Sequence, residues 1–320
     1  MFFSPGSQRS EGSGGFAGVR ATNSREVYTT GMSAIVQSIL AGLAGMFGWG
    51  LYDFFGGLFS KRIGNFRTFF WSQLAGLVFA TLLAFAFATS INMPTRIAIL
   101  IAVASIFYAA AYLLFFRGFE LGNVSIISAT MNLWAVFTML FAFIFLGQRL
   151  SRFQFLGVIM ILAGVVLVSL KWSDIKDQNI ELLSGIKETI LAALLFGIFW
   201  ILSEIISEEI GWLPTTLFVK IGIVLFLLLF SLLVNREIRV TQTTSKTKMT
   251  ILFAGVLEAA AVASVNWGLT IGDVILVTPI SSALSIVTIM MAVIFLKERI
   301  TKPQGIGMVM VITGIVLTAF

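Results

Sequence analysis

The chain has 320 residues, 58% hydrophobic and 11% charged, with a mean hydropathy of +1.00 and a formal net charge of +6. A soluble domain carries about 25% charged residues, so this composition excludes one and indicates an integral membrane protein. Cysteine and histidine are both absent, which excludes disulfides, thiolate nucleophiles, Cys or His zinc sites, axial-His haem and Ser-His catalysis.

In chain order, residues 1–32 are Gly/Ser-rich and polar, without the apolar stretch of a signal peptide, and read as a flexible tail. From 33 onward the apolar pattern predicts ten membrane-spanning helices, at about 33–59, 66–90, 95–116, 123–147, 152–170, 184–207, 213–234, 249–269, 273–296 and 303–320. The longer connections are 171–183 and 235–248. Pro94, Pro214 and Pro303 fall at span starts, where a missing N–H costs nothing. Pro279 falls inside the ninth span, where it frees the carbonyl of Ile275 and marks a hinge.

The sequence repeats. Residues 101–170 lie on 251–320 without a gap, with Gly118, Gly122, Gly157 and Gly164 falling on Gly268, Gly272, Gly307 and Gly314, and Arg149 on Arg299. Upstream, with small gaps, FGWGLYD (47–53) lies on IFWILSE (198–204), which pairs Trp49 with Trp200 and Asp53 with Glu204. IGNF (63–66) lies on IGWL (210–213) and pairs Gln73 with Lys220; Tyr108 pairs with Glu258. Each copy holds five spans. Five is odd, so the second copy enters the bilayer from the opposite face, and the copies are inverted about an axis in the membrane plane. Secondary transporters are commonly built this way, with the site between the repeats near the midplane. The expected organisation is a tail (1–32), a first repeat (33–170), a linker (171–183) and a second repeat (184–320).

Ten spans as five plus five, the first-span stretch GMFGWG, and turns of the type LGQRLSRFQFLG closing each half resemble the EamA-type transporters of the drug/metabolite transporter superfamily. The resemblance covers about 33–320. It implies an all-α, ten-helix membrane fold around a central cavity lined mainly by spans 1, 3, 4, 6, 8 and 9, and export or exchange of small metabolites. One residue departs from the pattern: Gln148 stands where the family usually has Glu, while the second copy keeps Glu298.

A charge in mid-span costs about 2.5–3.5 kcal/mol on insertion scales, so a surviving one faces a cavity or a partner. Glu258, central in the eighth span, is the sharpest candidate for contact with substrate or proton; interhelical packing is the plainer reading. Glu204 and Lys220 flank one turn at similar depth and are expected to form an ion pair. For Asp53 the expected partners are Gln73 or Lys61. Asn132, Asn266 and Thr278 supply neutral hydrogen-bonding groups, which are either site contacts or glue between helices. Trp49 and Trp200 each precede an acid by one turn and read as cavity-lining or gating residues, or else as interfacial anchors. Arg117, Trp134 and Trp267 read as interfacial, and the repeated glycines as packing positions.

The expected function is therefore secondary transport of a small metabolite, with protons as a candidate coupling ion and no cofactor, catalytic residue, metal or nucleic-acid partner. The protein is expected in the cell inner or plasma membrane, as a monomer or homodimer. An intramembrane enzyme acting on lipid or a lipid-linked substrate is the alternative; it needs acids clustered at one interface, and here they are spread in depth. No GxxxxGK[ST] loop for ATP-driven transport is present. Orientation has two readings. One face holds about 14 Lys/Arg against about four on the other, which puts both termini outside, whereas the family resemblance implies both inside.

Overall fold

The structure is a computed structural model that describes residues 33–87, 93–121, 127, 130–169, 185–240, 243–297 and 300–320, with backbone alone at 56–62, 119, 120 and 296. The tail expected over 1–32 and the linker expected over 171–183 lie outside the described residues. In hydrocarbon every backbone polar group has to be satisfied within its own segment, so apolar runs of this length fold as helices. In chain order they are α1 (Ala34–Ile63), α2 (Asn65–Ala86), α3 (Thr95–Leu121), α4 (Leu133–Phe141, continued by a π-turn at Ala142–Leu146), α5 (Arg152–Ser169), α6 (Ile186–Ile210), α7 (Trp212–Leu233), α8 (Ser245–Ile271), α9 (Val274–Ser282), α10 (Leu284–Leu296) and α11 (Lys302–Leu317). Among the described residues, eight helices are long and apolar enough to cross a membrane, with α9 and α10 counted as one span over Val274–Phe295. The helices at Leu133–Leu146 and Lys302–Leu317 are shorter.

The punctuation explains the repeated turns. Gly64 and Gly211 cap α2 and α7 with φ of 91° and 87°, so the IGNF and IGWL turns share a left-handed entry that favours glycine. The polar turns before α5 and α11 are capping boxes. The Ser151 N–H donates to Gln154 Oε1 at 2.9 Å and the Gln154 N–H to Ser151 Oγ at 3.2 Å. Thr301 and Gln304 form the same box. Arg149 closes the preceding helix by donating to the carbonyls of Phe143 and Gln148, both at 2.9 Å.

Gly147 ends the first of these helices with φ 68°, while its mate Lys297 takes φ 55°. An L-residue pays for that conformation and glycine does not. Lys297→Gly is therefore expected to stabilise the protein by about 1 kcal/mol, read as a raised midpoint of thermal unfolding in detergent.

The eighth helix starts at Ser245, a turn before the expected 249, because Thr244 caps it by accepting from the Thr247 N–H at 3.3 Å. The ninth span departs more. Helix continues through Pro279 and breaks at Ala283, where the N–H turns back to Ile280 at 3.2 Å. The hydroxyls of Ser281 and Ser282 donate to the carbonyls of Val277 (3.0 Å) and Pro279 (2.7 Å), so side-chain hydroxyls share the hydrogen bonding of the backbone beside the break. The fourth span has a similar irregularity at Asn132, whose carbonyl accepts from the Ala135 N–H at 3.2 Å. These breaks fall at nearly equivalent positions of the two copies, although the first has no proline.

Small residues set the close crossings. A Cβ on Gly157 would lie 2.6 Å from the Gly314 carbonyl oxygen, and one on Gly164 would lie 2.6 Å from that of Gly307. Helices α5 and α11 therefore cross antiparallel with backbones in contact, which is how small residues let membrane helices approach. Around the centre, α1 packs on α8 and α3 on α6.

Candidate functional site

Four fully buried polar side chains meet where α2, α3, α7 and α8 converge. Lys220 Nζ donates to Glu258 Oε2 and, at 2.7 Å, to Gln73 Oε1; Tyr108 Oη donates to Glu258 Oε1. Relative exposure is 0% for Lys220, Glu258 and Gln73 and 1% for Tyr108, so the pair has no solvent to lean on and its protein hydrogen bonds carry it. Lys220 Nζ also lies 5.4 Å from the Tyr108 ring centroid. Phe196 and Phe199 hold that ring edge-on, with centroids 5.3 and 4.8 Å away. On the α1 side, Tyr52 Oη lies 3.2 Å from Ser72 Oγ, one residue before Gln73. Close approach of α2 and α8 makes the cluster possible, for a side chain on Gly255 would run into the backbone of Ser72.

The expected Glu204–Lys220 pair does not form. Equal depth on neighbouring helices does not fix the face, and these two residues face different neighbours. Lys220 turns to α8. Glu204 turns to the start of α9, where its Oε1 accepts from Gln148 Nε2 at 2.6 Å and from the Val274 N–H at 3.3 Å. The Ile275 N–H donates to Gln148 Oε1 at 3.1 Å. An acid and an amide from opposite halves of the chain thus take the orphan N–H groups of one helix N-terminus. Asp53 is half-buried on α1. One of its expected partners, Gln73, serves Lys220 instead, and the side chain of the other, Lys61, lies outside the described residues.

Trp49, Trp200 and Trp134 form one buried triad, with centroid separations of 5.4 Å (49–200), 6.1 Å (49–134) and 6.1 Å (134–200). The interfacial position expected for Trp134 is incorrect, since it is 7% exposed inside the core. Asn266 is clamped: its Oδ1 accepts from Ser203 Oγ at 2.8 Å and its Nδ2 donates to Thr216 Oγ1 at 3.0 Å, joining α6, α7 and α8. Asn132 Nδ2 donates to Ser169 Oγ at 3.1 Å, and Ser169 Oγ lies 3.1 Å from Ser285 Oγ. Thr278 Oγ1, Trp49 Nε1, Ser207 Oγ and Glu204 Oε2 are buried without a hydrogen-bond partner among the described residues. A separate cleft of about 300 Å³ lies among α2, α7 and α8, lined by Phe79, Leu83, Trp212, Ala260, Ala263, Ser264 and Trp267. It shares no residue with the Glu258 cluster.

Sequence reasoning named Glu258, Lys220, Tyr108 and Gln73 but not their assembly. Their pairing as repeat mates was the available signal. Tyr52, Ser72, Ser203 and Thr216 were missed, because hydroxyls on apolar helices are common and carry no spacing signature.

Helices of this length and apolarity around an ion pair buried in the protein interior define a multi-pass membrane protein with an internal polar site. The profile of the EamA-like transporter family matches residues 36–170 and 183–320, one match per half, and the chain belongs to that family. An uncharacterized protein of Methanocaldococcus jannaschii is 29% identical over 131 residues, covering 40% of this chain and 90% of that protein. A protein of known crystal structure superposes with a TM-score of 0.74 at 15% identity, over 88% of this chain and 97% of the other, and so shares the fold.

Proposed function

We propose that the chain is a secondary transporter that exports or exchanges a small metabolite by alternating access, with the Glu258 cluster as its central polar site. The observation that carries this reading is that two pairs of repeat mates, Tyr108 with Glu258 and Gln73 with Lys220, meet in one hydrogen-bonded cluster. Residues at equivalent positions of two copies meet on the axis that relates the copies, and that is where inverted-repeat carriers bind.

Inversion has further support. The glycine contacts are reciprocal: Gly157 meets Gly314 while its mate Gly307 meets Gly164. Reciprocal contacts of this kind are the signature of a two-fold interface, and the antiparallel crossing of α5 and α11 fits copies that run in opposite directions. The M. jannaschii relative is about one repeat long.

In this reading the empty site is neutral, because Lys220 and Glu258 satisfy each other. Substrate or a proton enters by exchanging with Lys220 at the Glu258 carboxylate, and the charge this frees on Lys220 has to be met by a second group of the substrate, or the exchange leaves a bare charge in the bilayer. Rocking of the halves then exposes the site to one side and the other. The membrane is the cell inner or plasma membrane.

The test is efflux from proteoliposomes preloaded with a mixed pool of amino acids, sugars, nucleotides and amphipathic amines, followed by mass spectrometry. At least one species is expected to leave through wild-type protein and not through Lys220→Gln/Glu258→Gln vesicles. Equal efflux through both proteins would remove the cluster from the mechanism. No efflux of any species, with folded protein and a proton gradient of either sign, would count against transport.

A further inference from the structure

The start of α9 is held by two side chains of different origin. Gln148 comes from the turn that follows α4, in the first half; Glu204 comes from α6, in the second. Together they form a closed ring of contacts: Gln148 Nε2 to Glu204 Oε1 (2.6 Å), the Val274 N–H to the same Oε1 (3.3 Å), and the Ile275 N–H to Gln148 Oε1 (3.1 Å). Glu204 is 2% exposed and Gln148 half-buried, so water reaches the ring only from the Gln148 side.

Resting on the transporter reading, we propose that Gln148 is a positioning residue that latches the first half to α9 and keeps this end of the carrier closed. Its amide is the residue type the geometry demands. One end must donate to Glu204 and the other must accept from Ile275; glutamine does both, and a carboxylate cannot donate. The equivalent turn in the other half carries Glu298, so the repeat itself does not impose glutamine. Glu204 does, because its Oε1 already accepts from the Val274 N–H and needs a donor beside it. A second acid there would set acceptor against acceptor and leave the ring without its donor. Rocking of the halves has to break this ring, since its members belong to both of them. The ring therefore sets how often this end opens.

The chain has no cysteine, so one introduced thiol reports opening alone. Ser207→Cys lies one turn past Glu204 on α6, at a position 1% exposed whose hydroxyl has no partner among the described residues. The readout is the rate of labelling by a membrane-impermeant maleimide in vesicles, with folding checked by size-exclusion chromatography. Labelling rate follows the population of the open form, and adding Gln148→Glu is expected to raise it about tenfold. The exchange Gln148→Glu/Glu204→Gln restores one acid and one amide and is expected to label within about twofold of the Ser207→Cys parent. A merely structural role predicts that the double change is at least as damaging as the single one. Labelling of Gln148→Glu at the parent rate, or an exchange variant that labels as fast as Gln148→Glu, would overturn the proposal. Gln148→Met fills the same space without hydrogen bonds and decides the matter if Gln148→Glu does not fold: faster labelling supports the latch, and the parent rate refutes it. Efflux failing altogether while these rates behave as stated would sink the transporter reading and leave the latch standing.

Discussion

Glu258→Gln is expected to destabilise the protein by about 3–5 kcal/mol, the cost of leaving one member of a buried ion pair without its partner. The stranded group is Lys220, 0% exposed and held otherwise by the Gln73 amide oxygen and the Tyr108 ring. Neither neutralises an ammonium. Lys220→Gln strands the carboxylate of Glu258 instead and is expected to cost a similar amount, softened by the bond from Tyr108. The double variant Lys220→Gln/Glu258→Gln removes both charges and keeps groups that can hydrogen-bond one another. It is expected to recover most of the loss, since replacing both members of a buried pair is often close to neutral. Denaturant unfolding in detergent micelles measures all four proteins. A double variant as unstable as the sum of the singles would mean that the two residues do not act as a pair. The same argument makes the double variant, rather than Glu258→Gln, the fair comparison for transport.

The second large effect is expected at the α5–α11 crossing. Gly164→Leu drives a side chain into the Gly307 carbonyl, where even a Cβ would lie at 2.6 Å. Backbone cannot rotate away as a side chain can, so the helices must separate, and overpacking of this severity is expected to cost about 3 kcal/mol or more. Gly314→Leu is the reciprocal change against Gly157 and is expected to cost a similar amount. Gly305, two residues before Gly307, has open space around it, and Gly305→Ala is expected to be neutral or to stabilise by up to about 1 kcal/mol through helix propensity. Thermal unfolding separates the outcomes. Tolerance of leucine at Gly164 would show that the helices are not held in backbone contact.

The fold was largely legible because hydropathy in a membrane protein is a direct reading of the solvent. Runs of apolar residues could be delimited, and IGNF and IGWL were legible as a repeated pair. The capping-box turns were legible as repeats before their geometry was known. The start of α8 was less so, since a polar first turn beyond the hydrocarbon carries no hydropathy signal and Thr244 had to reveal it. The break at Asn132 was hidden because its carbonyl accepts a backbone N–H with no proline to mark the place, whereas Pro279 pointed to the ninth span and the break fell four residues later, at Ala283.

The cluster itself was half legible. Rarity of charge in mid-span drew attention to Glu258, Lys220 and Glu204, and the repeat register coupled Glu258 to Tyr108 and Lys220 to Gln73. Azimuth was not legible. Depth along a helix follows from counting residues, but the direction a side chain faces depends on how neighbours cross, and Glu204 was assigned to the wrong partner for that reason. Gln148 was visible as a departure from the family pattern; its purpose became clear only when the start of α9 was found beside it.

The central claim is that one internal site opens to each side of the membrane in turn. Thr278→Cys tests it most directly, because Thr278 is 1% exposed, lies on α9 past the latch, and has a hydroxyl without a partner among the described residues. With an impermeant maleimide added either outside or inside sealed vesicles of uniform orientation, the account predicts that this single thiol is labelled from both sides while the vesicles hold their contents. Labelling from one side only, in folded protein, would contradict it.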